Sequence, residues 1–321
     1  MKFFIITIDT EGDNLWRWKE GDSITTENTK FLQRFQELCN KYGFKPVWLT
    51  NYEMICNDDY CDFISKVEQD KMGELGMHLH AWNTPPNYDL PIVQQGAPYL
   101  IEYPVDVMED KICTMHNIII NRTGIKPVSH RAGRWAMNQD YFDLLIKCGY
   151  KIDCSVTPYI NWSNSCGRTE GVGGTDYSDY LTLPNKVYSS KNSQYLWEVP
   201  LTTRIVNKFF MPQKITLKST IISILNAIRG EVLWLRPNGN NIGQMKYLIN
   251  KMDKSEDEYL MFMLHSSELM PGGSPTFTNK SDIERLYEDL ESIFSLIVKK
   301  GYVGITLREY ERRLNVTCID D

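Results

Sequence analysis

The sequence predicts an α/β fold of the (β/α) barrel type, with parallel strands inside and helices outside. Apolar runs of strand length alternate with helical patterns along the 321 residues, the rhythm of βα units and a parallel sheet. Asp9, Glu11, His78, His80, Arg131 and His265 each stand at or just past the C-terminal end of a predicted strand. A barrel gathers such ends at one face, where barrel enzymes place their sites. The competing open, doubly wound sheet more often carries a Gly-rich phosphate loop, and no G-x-G-x-x-G or Walker sequence follows a strand here.

The elements follow in order. Residues 2–8 form an apolar first strand. Although they stand at the N-terminus, the run is too short for a leader, has no small-residue cleavage site and ends in acidic residues. Phe31, Phe35, Leu38 and Tyr42 set a helix over 25–42, stopped by Gly43. A strand at 46–50, a helix at 60–70 and a strand at 74–80 come next. A Pro- and Gly-rich loop over 81–100 is long enough to bind substrate or act as a lid. Met108, Ile112, Met115 and Ile119 mark a helix over 106–122, followed by a strand at 126–130, a helix at 139–147 and a strand at 150–155. From about 156 to 194, Gly, Ser, Thr and Asn break the pattern, which reads as an insertion within one domain spanning 1–321. Strands at 195–200, 232–236, 259–265 and 302–306 and helices at 217–229, 243–252 and 281–300 complete the chain.

Composition excludes several classes. With 41 acidic and 35 basic residues the net charge is −6, and no basic stripe interleaved with aromatics suggests a nucleic-acid partner. No stretch has the length of a membrane span, so an integral membrane protein is not expected. The eight cysteines include no Cys-x-x-Cys pair, which fits reduced thiols in a cytoplasmic protein.

Two of the five histidines fall in Gly76-Met77-His78-Leu79-His80. Side chains alternate along a strand, so His78 and His80 point the same way. Asp9 and Glu11 share the same spacing. One carboxylate and two imidazoles make a three-ligand site with open positions, suited to Zn²⁺ or a related divalent ion that activates water. The second carboxylate is then placed to take that water's proton. Arg131 would hold Asp9 ionised and oriented. His265, ahead of a Pro/Gly loop, is placed as a general acid or base, or alternatively as a buried, hydrogen-bonded histidine. Trp16, Trp18, Trp82, Trp135, Trp162 and Trp197 lie in or near predicted loops and are candidate sugar-stacking platforms or core residues.

Five blocks in order give the chain a family resemblance: Thr7–Glu11, Glu74–His80, His130–Arg134, Gly149–Ser155 and Phe262–His265. Together they resemble the NodB-homology polysaccharide deacetylases of carbohydrate esterase family 4, and in particular the lipopolysaccharide-biosynthesis deacetylase-like branch. The resemblance implies a distorted, seven-stranded (β/α) barrel and metal-dependent hydrolysis of an N-acetyl group on a sugar. It implies Asp9 as base, Glu11 and His78 as metal ligands, Arg131 orienting Asp9, and His265 as acid. Zn²⁺ is the preferred ion, with Co²⁺, Ni²⁺ and Mn²⁺ as alternatives. Trp82, Arg134 and Trp135 are expected to contact an acetamido sugar or glycan precursor.

The chain departs from the family pattern in three ways. The family's two histidines stand four apart, whereas position 82 is Trp82, so either His80 substitutes as a ligand or metal binding is altered. Thr10 separates Asp9 from the acidic ligand, Glu11. Leu196-Trp197-Glu198 stands where an Asp-Trp motif is expected, leaving Glu198 and Asp153 as candidates for the group that tethers His265. The competing readings are a catalytically silent glycan-binding barrel, an amidohydrolase-type barrel and a nucleotide-sugar transferase. The amidohydrolase reading expects His-x-His on the first strand, and the transferase reading leaves the histidines unexplained.

Overall fold

Alternation along the strands decides what lies on each side of the sheet. The structure, a computed structural model, describes residues 1–19, 21–171, 173–211 and 216–317; Cys318 lies outside them. The strands are β1 (Phe3–Thr10), β2 (Pro46–Thr50), β3 (Glu74–Leu79), β4 (Ser129–Ala132), β5 (Ile152–Asp153), β6 (Asn185–Tyr188), β7 (Tyr195–Glu198), β8 (Thr203–Val206), β9 (Glu231–Trp234), β10 (Tyr259–His265) and β11 (Val303–Gly304). The helices are α1 (Leu32–Lys41), α2 (Tyr52–Ile55), α3 (Asp58–Gln69), α4 (Val105–Thr123), α5 (Gln139–Cys148), α6 (Leu217–Arg229), α7 (Ile242–Met252), α8 (Lys280–Lys299) and α9 (Leu307–Thr317).

The main sheet runs β10-β1-β2-β3-β4-β5-β7-β6, with β11 paired to β1. Odd-numbered β1 residues and their counterparts form one buried cluster: Phe3, Ile5, Val47, Leu49, Ile152, Met261 and Met263. This is the concave interior. Phe4, Ile6, Ile8, Trp48, Leu75, Phe262 and Leu264 face the other way, where α1, α3, α4, α5 and α8 cover them. A strand covered on both faces reads as a continuous apolar run, which is why β1 and β10 were legible without alternation.

Helix ends follow their chemistry. The side chains of Asn57, Asn138 and Asn279 accept hydrogen bonds from backbone N–H groups in the first turns of α3, α5 and α8. Gly124 and Gly149, at φ +71° and +91°, close α4 and α5 in the left-handed conformation that glycine adopts without a Cβ penalty.

Three expectations need correction. The main path contains eight strands rather than seven, because β6 arises inside the 156–194 insertion and pairs antiparallel with β7. The strand expected at 232–236 does not join the barrel; as β9 it pairs antiparallel with β8 in a separate two-stranded sheet. The sheet is therefore not closed: its edge strands are β6 and β10. Isolated bonds bridge the gap: Thr202 Oγ1 accepts from Met261 N at 2.8 Å, and Leu235 O accepts from Met263 N at 3.2 Å. The helix expected over 25–42 starts with a 3₁₀ turn at Glu27–Phe31 before α1.

Candidate active site

The polar residues of the concave face lie at its C-terminal mouth. Asp9 pairs in register with His265 across β1–β10, and His78 with Arg131 across β3–β4. All four have inward parity, so the interior changes from apolar at its base to ionisable at its mouth.

Arg131 is fully buried and makes a tight pair with Asp9: its Nη1 donates to Asp9 Oδ1 at 2.6 Å. Its remaining nitrogens donate to Thr7 Oγ1 at 2.8 Å and to Cys154 O at 3.1 Å. Burial pushes the Asp9 carboxyl up, but Arg131, His78 and His265 together override this and hold it well below the usual carboxylate range. Asp9 is thus an oriented carboxylate with Oδ2 facing His265 Nε2 at 3.8 Å.

Glu11 lies just beyond β1, and its main chain is pinned. Its N–H donates to Ser266 Oγ at 3.0 Å, while its carbonyl accepts from Asn28 Nδ2 at 2.8 Å. Its Oε2 lies 3.5 Å from His78 Nε2 and 3.3 Å from His80 Nε2. His78 Nδ1 donates to Arg131 O at 2.9 Å, which leaves Nε2 free to present a lone pair. His80 lies between His78 and Trp82, with ring centroids 4.6 and 4.4 Å away. Burial and the neighbouring His78 push it down to about 3, so it is a neutral imidazole. Its Nδ1 is buried without a protein hydrogen-bond partner, so of the two rings it is held less firmly.

One ligand atom from each of Glu11, His78 and His80 lies within 4.8 Å of the others, and all three residues are buried. One carboxylate oxygen with two imidazole nitrogens suits Zn²⁺, Co²⁺, Ni²⁺ or Mn²⁺. The residues therefore fit a divalent ion. The turn after β4 is built around His80: a Cβ at Gly133 would come within 2.3 Å of His80 Cδ2 and 2.5 Å of Leu79 O.

The tether for His265 is local. A 3₁₀ turn at Ser266–Leu269 folds Glu268 back, so that its Oε2 accepts from His265 N at 2.9 Å and lies 3.2 Å from His265 Nδ1. Arg236 Nη2 lies 3.3 Å from Glu268 Oε1 and 3.1 Å from the same Nδ1. Burial raises the Glu268 carboxyl, but Arg236 and His265 outweigh it and bring it to about 2. Nδ1 cannot donate to Glu268 and accept from Arg236 at once. The pair therefore selects the ring tautomer, and with it whether Nε2 offers the cavity a lone pair or a proton.

The two candidates from sequence, Asp153 and Glu198, belong elsewhere. Asp153 Oδ1 accepts from His130 Nδ1 at 2.5 Å on the convex side of β4 and β5, and Glu198 Oε1 accepts from Val156 N at 3.1 Å.

A cavity of about 440 Å³ opens over the mouth. Asp9, Glu11, His78, His80 and His265 line its floor, and aromatic side chains form its walls. Trp16 stands edge-on to His265 at 5.0 Å and donates through Nε1 to Ser267 Oγ at 3.0 Å. Trp18 stacks on Trp82 at 6.1 Å. Arg134 lies over Tyr99 at 3.9 Å, and Trp135 under Arg131 at 5.2 Å. Arg134 and Trp135 have φ of +55° and +64°, consecutive non-glycine residues in the left-handed region. Among the candidate stacking residues, Trp197 does not reach the cavity; its Nε1 donates to Asn315 Oδ1 at 2.9 Å beside α9. The 81–100 loop supplies Trp82, Ala97 and Tyr99, and the insertion supplies Trp162 and Ser165. The two segments are fastened by Glu102, which accepts from Arg168 N and Thr169 N at 2.7 Å.

Glu268, Arg236 and Tyr99 were missed from sequence. The signal for Glu268 was its i, i+3 spacing from His265, typical of a side chain that reaches back to a turn's first N–H.

No family model and no curated protein sequence matches the chain. Solved structures do. A protein classed as a polysaccharide deacetylase from Mycobacterium smegmatis aligns over 98% of this chain and 91% of its own, with a TM-score of 0.54 and 11% identity. PuuE allantoinase aligns over 98% and 90%, with a TM-score of 0.53 and 11% identity. The chain has the NodB-homology polysaccharide-deacetylase fold, a distorted (β/α) barrel left open along one seam.

Proposed function

We propose that the protein is a metal-dependent carbohydrate N-deacetylase that removes an N-acetyl group from an acetamido sugar. The substrate pool we propose is a cytoplasmic precursor of a surface polysaccharide or lipopolysaccharide. One observation carries the reading: the Glu11–His78–His80 donor set, the Arg131-held Asp9 and the Glu268-held His265 share the floor of one cavity. The fold alone does not choose a substrate, since both a polysaccharide deacetylase and an allantoinase share it. The aromatic walls support the sugar, because indole and phenol rings stack on its C–H faces, and the polar edges of Trp16, Trp18, Tyr99 and Trp162 stay paired to the protein.

Glu11, His78 and His80 would hold the ion. When bound, it supplies Lewis-acid polarisation of the acetyl carbonyl and lowers the pKa of water. Asp9, kept ionised by Arg131, accepts the proton of the attacking water. His265 acts as the imidazolium: Nδ1–H donates to Glu268 and Nε2–H passes its proton to the departing amine, so that acetate and a free amino sugar leave. Trp16, Trp82 and Tyr99 exclude bulk water from these transfers and orient the ring.

Acetate release from N-acetylglucosamine oligosaccharides tests the reading, using protein loaded with Zn²⁺ or stripped by chelation, as wild type and as Asp9→Asn. Release by the loaded wild type, lost on stripping and in the variant, is expected. Saturable sugar binding with no release at any divalent metal would instead establish a silent glycan-binding barrel.

A further inference from the structure

The segment between β7 and β9 differs from the rest of the surface. α6 exposes Leu217, Ile221, Ile222, Ile224, Leu225 and Ile228, at 81%, 47%, 46%, 46%, 40% and 70% exposure. All but Ile222 recur at spacings of three and four and share one helical face, with Ile222 at its edge. No described residue of α6 is buried. Its C-terminal end is tied by Asn207 Nδ2, which donates to Ile228 O at 3.1 Å. The chain leading into it exposes Ile205, Phe209 and Met211 as well. A 13-residue helix that buries no face has little to stabilise it in water, so this face fits an apolar partner.

Charge selects the partner. From Val199 to Gly230 the sequence has no Asp or Glu, in a chain whose net charge is −6. Among the described residues, Lys208, Lys218 and Arg229 are exposed cations: Lys218 and Arg229 stand on α6 itself, and Lys208, in the chain leading to it, lies over the Tyr247 ring at 4.0 Å. Apolar side chains on one face with cations alongside match the boundary between acyl chains and anionic headgroups. Length excludes spanning: 13 residues of helix extend about 20 Å, against about 30 Å of hydrocarbon. No helix among the described residues is long and apolar enough to cross a membrane. A second copy of the chain is the competing occupant. Face-to-face packing would bring the cations of both copies together with no acid from this segment to offset them.

We propose that α6 and its approach dock the protein peripherally on an anionic lipid bilayer, with the helix lying in the interface. The face connects to the cavity through β9, whose Trp234 contacts Trp135 and Trp162 at 6.2 and 6.3 Å and which leads to Arg236. This inference does not depend on which reaction the cavity performs.

Co-sedimentation of the full chain with mixed phosphatidylcholine–phosphatidylglycerol vesicles, and with pure phosphatidylcholine vesicles, tests it. Binding to the mixed vesicles that weakens with salt is expected, with little binding to the neutral ones. Ile221→Asp with Ile224→Asp should cut vesicle binding by about tenfold or more while leaving the melting temperature in solution unchanged, since neither side chain is in the core. Lys208→Gln with Lys218→Gln should weaken binding to the mixed vesicles about tenfold. Two results would overturn the proposal: no preference for anionic vesicles, or a concentration-dependent dimer in sedimentation velocity that Ile221→Asp with Ile224→Asp abolishes while the wild type ignores vesicles.

Discussion

His130 and Arg131 are consecutive residues of β4, yet they serve opposite faces of the sheet. Arg131 points into the concave interior and pairs with Asp9 under the cavity. His130 points outward beneath α5, where Nδ1 bonds Asp153 at 2.5 Å and Nε2 bonds the Tyr141 hydroxyl at 2.9 Å. Both faces thus hold a buried charged or polar residue against an aspartate. On the convex side both ring nitrogens of His130 are used and the ring is fully buried. On the concave side Asp9 Oδ2, Glu11 Oε2 and the Nε2 atoms of His78, His80 and His265 all converge on open space. Composition is the same; spare donor atoms facing a cavity mark the reactive cluster.

Substitutions can break this contrast. Asp9→Asn should lower turnover by about 10²–10⁴-fold, the range for losing a general base. Asp153→Asn should instead act on folding, lowering stability by about 3–5 kcal/mol as a buried pair loses its charged partner. Its turnover, measured below the new melting temperature, should change about threefold or less. A large turnover defect in Asp153→Asn with intact stability would erase the distinction. Gly133→Ala sharpens it next: its Cβ displaces His80 but touches none of the convex cluster. Zn²⁺ affinity by competition with a chelating dye should fall about 10–100-fold, as expected when a ligand loses its orientation.

The smallest effect concerns Lys111, which is buried and donates to Thr84 O and Pro86 O at 2.6 Å, holding the 81–100 loop. Burial brings its pKa down to about 8 from an ordinary 10.5. Between these values the unfolded chain binds the extra proton, so stability rises with pH across that window. Lys111→Met should be less stable at pH 7, through the two unpaired carbonyls, and should lack that rise in a melting series.

Much of the floor of the site was legible in the sequence. Parallel βα rhythm and two-residue spacing are local properties, and they placed Asp9, Glu11, His78, His80 and His265 at strand ends. The walls were harder to read. Tyr99 and Arg236 reach the cavity through loops whose paths depend on tertiary contacts such as the Glu102 fastening. β9 reads as a barrel strand because its apolar run is indistinguishable from one; only its antiparallel pairing with β8 removes it from the barrel. Glu268 was overlooked because the tether was sought on another strand, whereas a 3₁₀ turn supplies it three residues away. β6 lies in a segment dominated by turn-forming residues, where strand propensity is outweighed by pairing with β7.

The central claim is that Glu11, His78 and His80 together hold one divalent ion. Anomalous diffraction at the zinc edge, from crystals grown with Zn²⁺, tests it most directly. The account predicts a single peak within bonding distance of Glu11 and both Nε2 atoms. A peak that excludes His80, or none at this site while Zn²⁺ binds elsewhere, would contradict it.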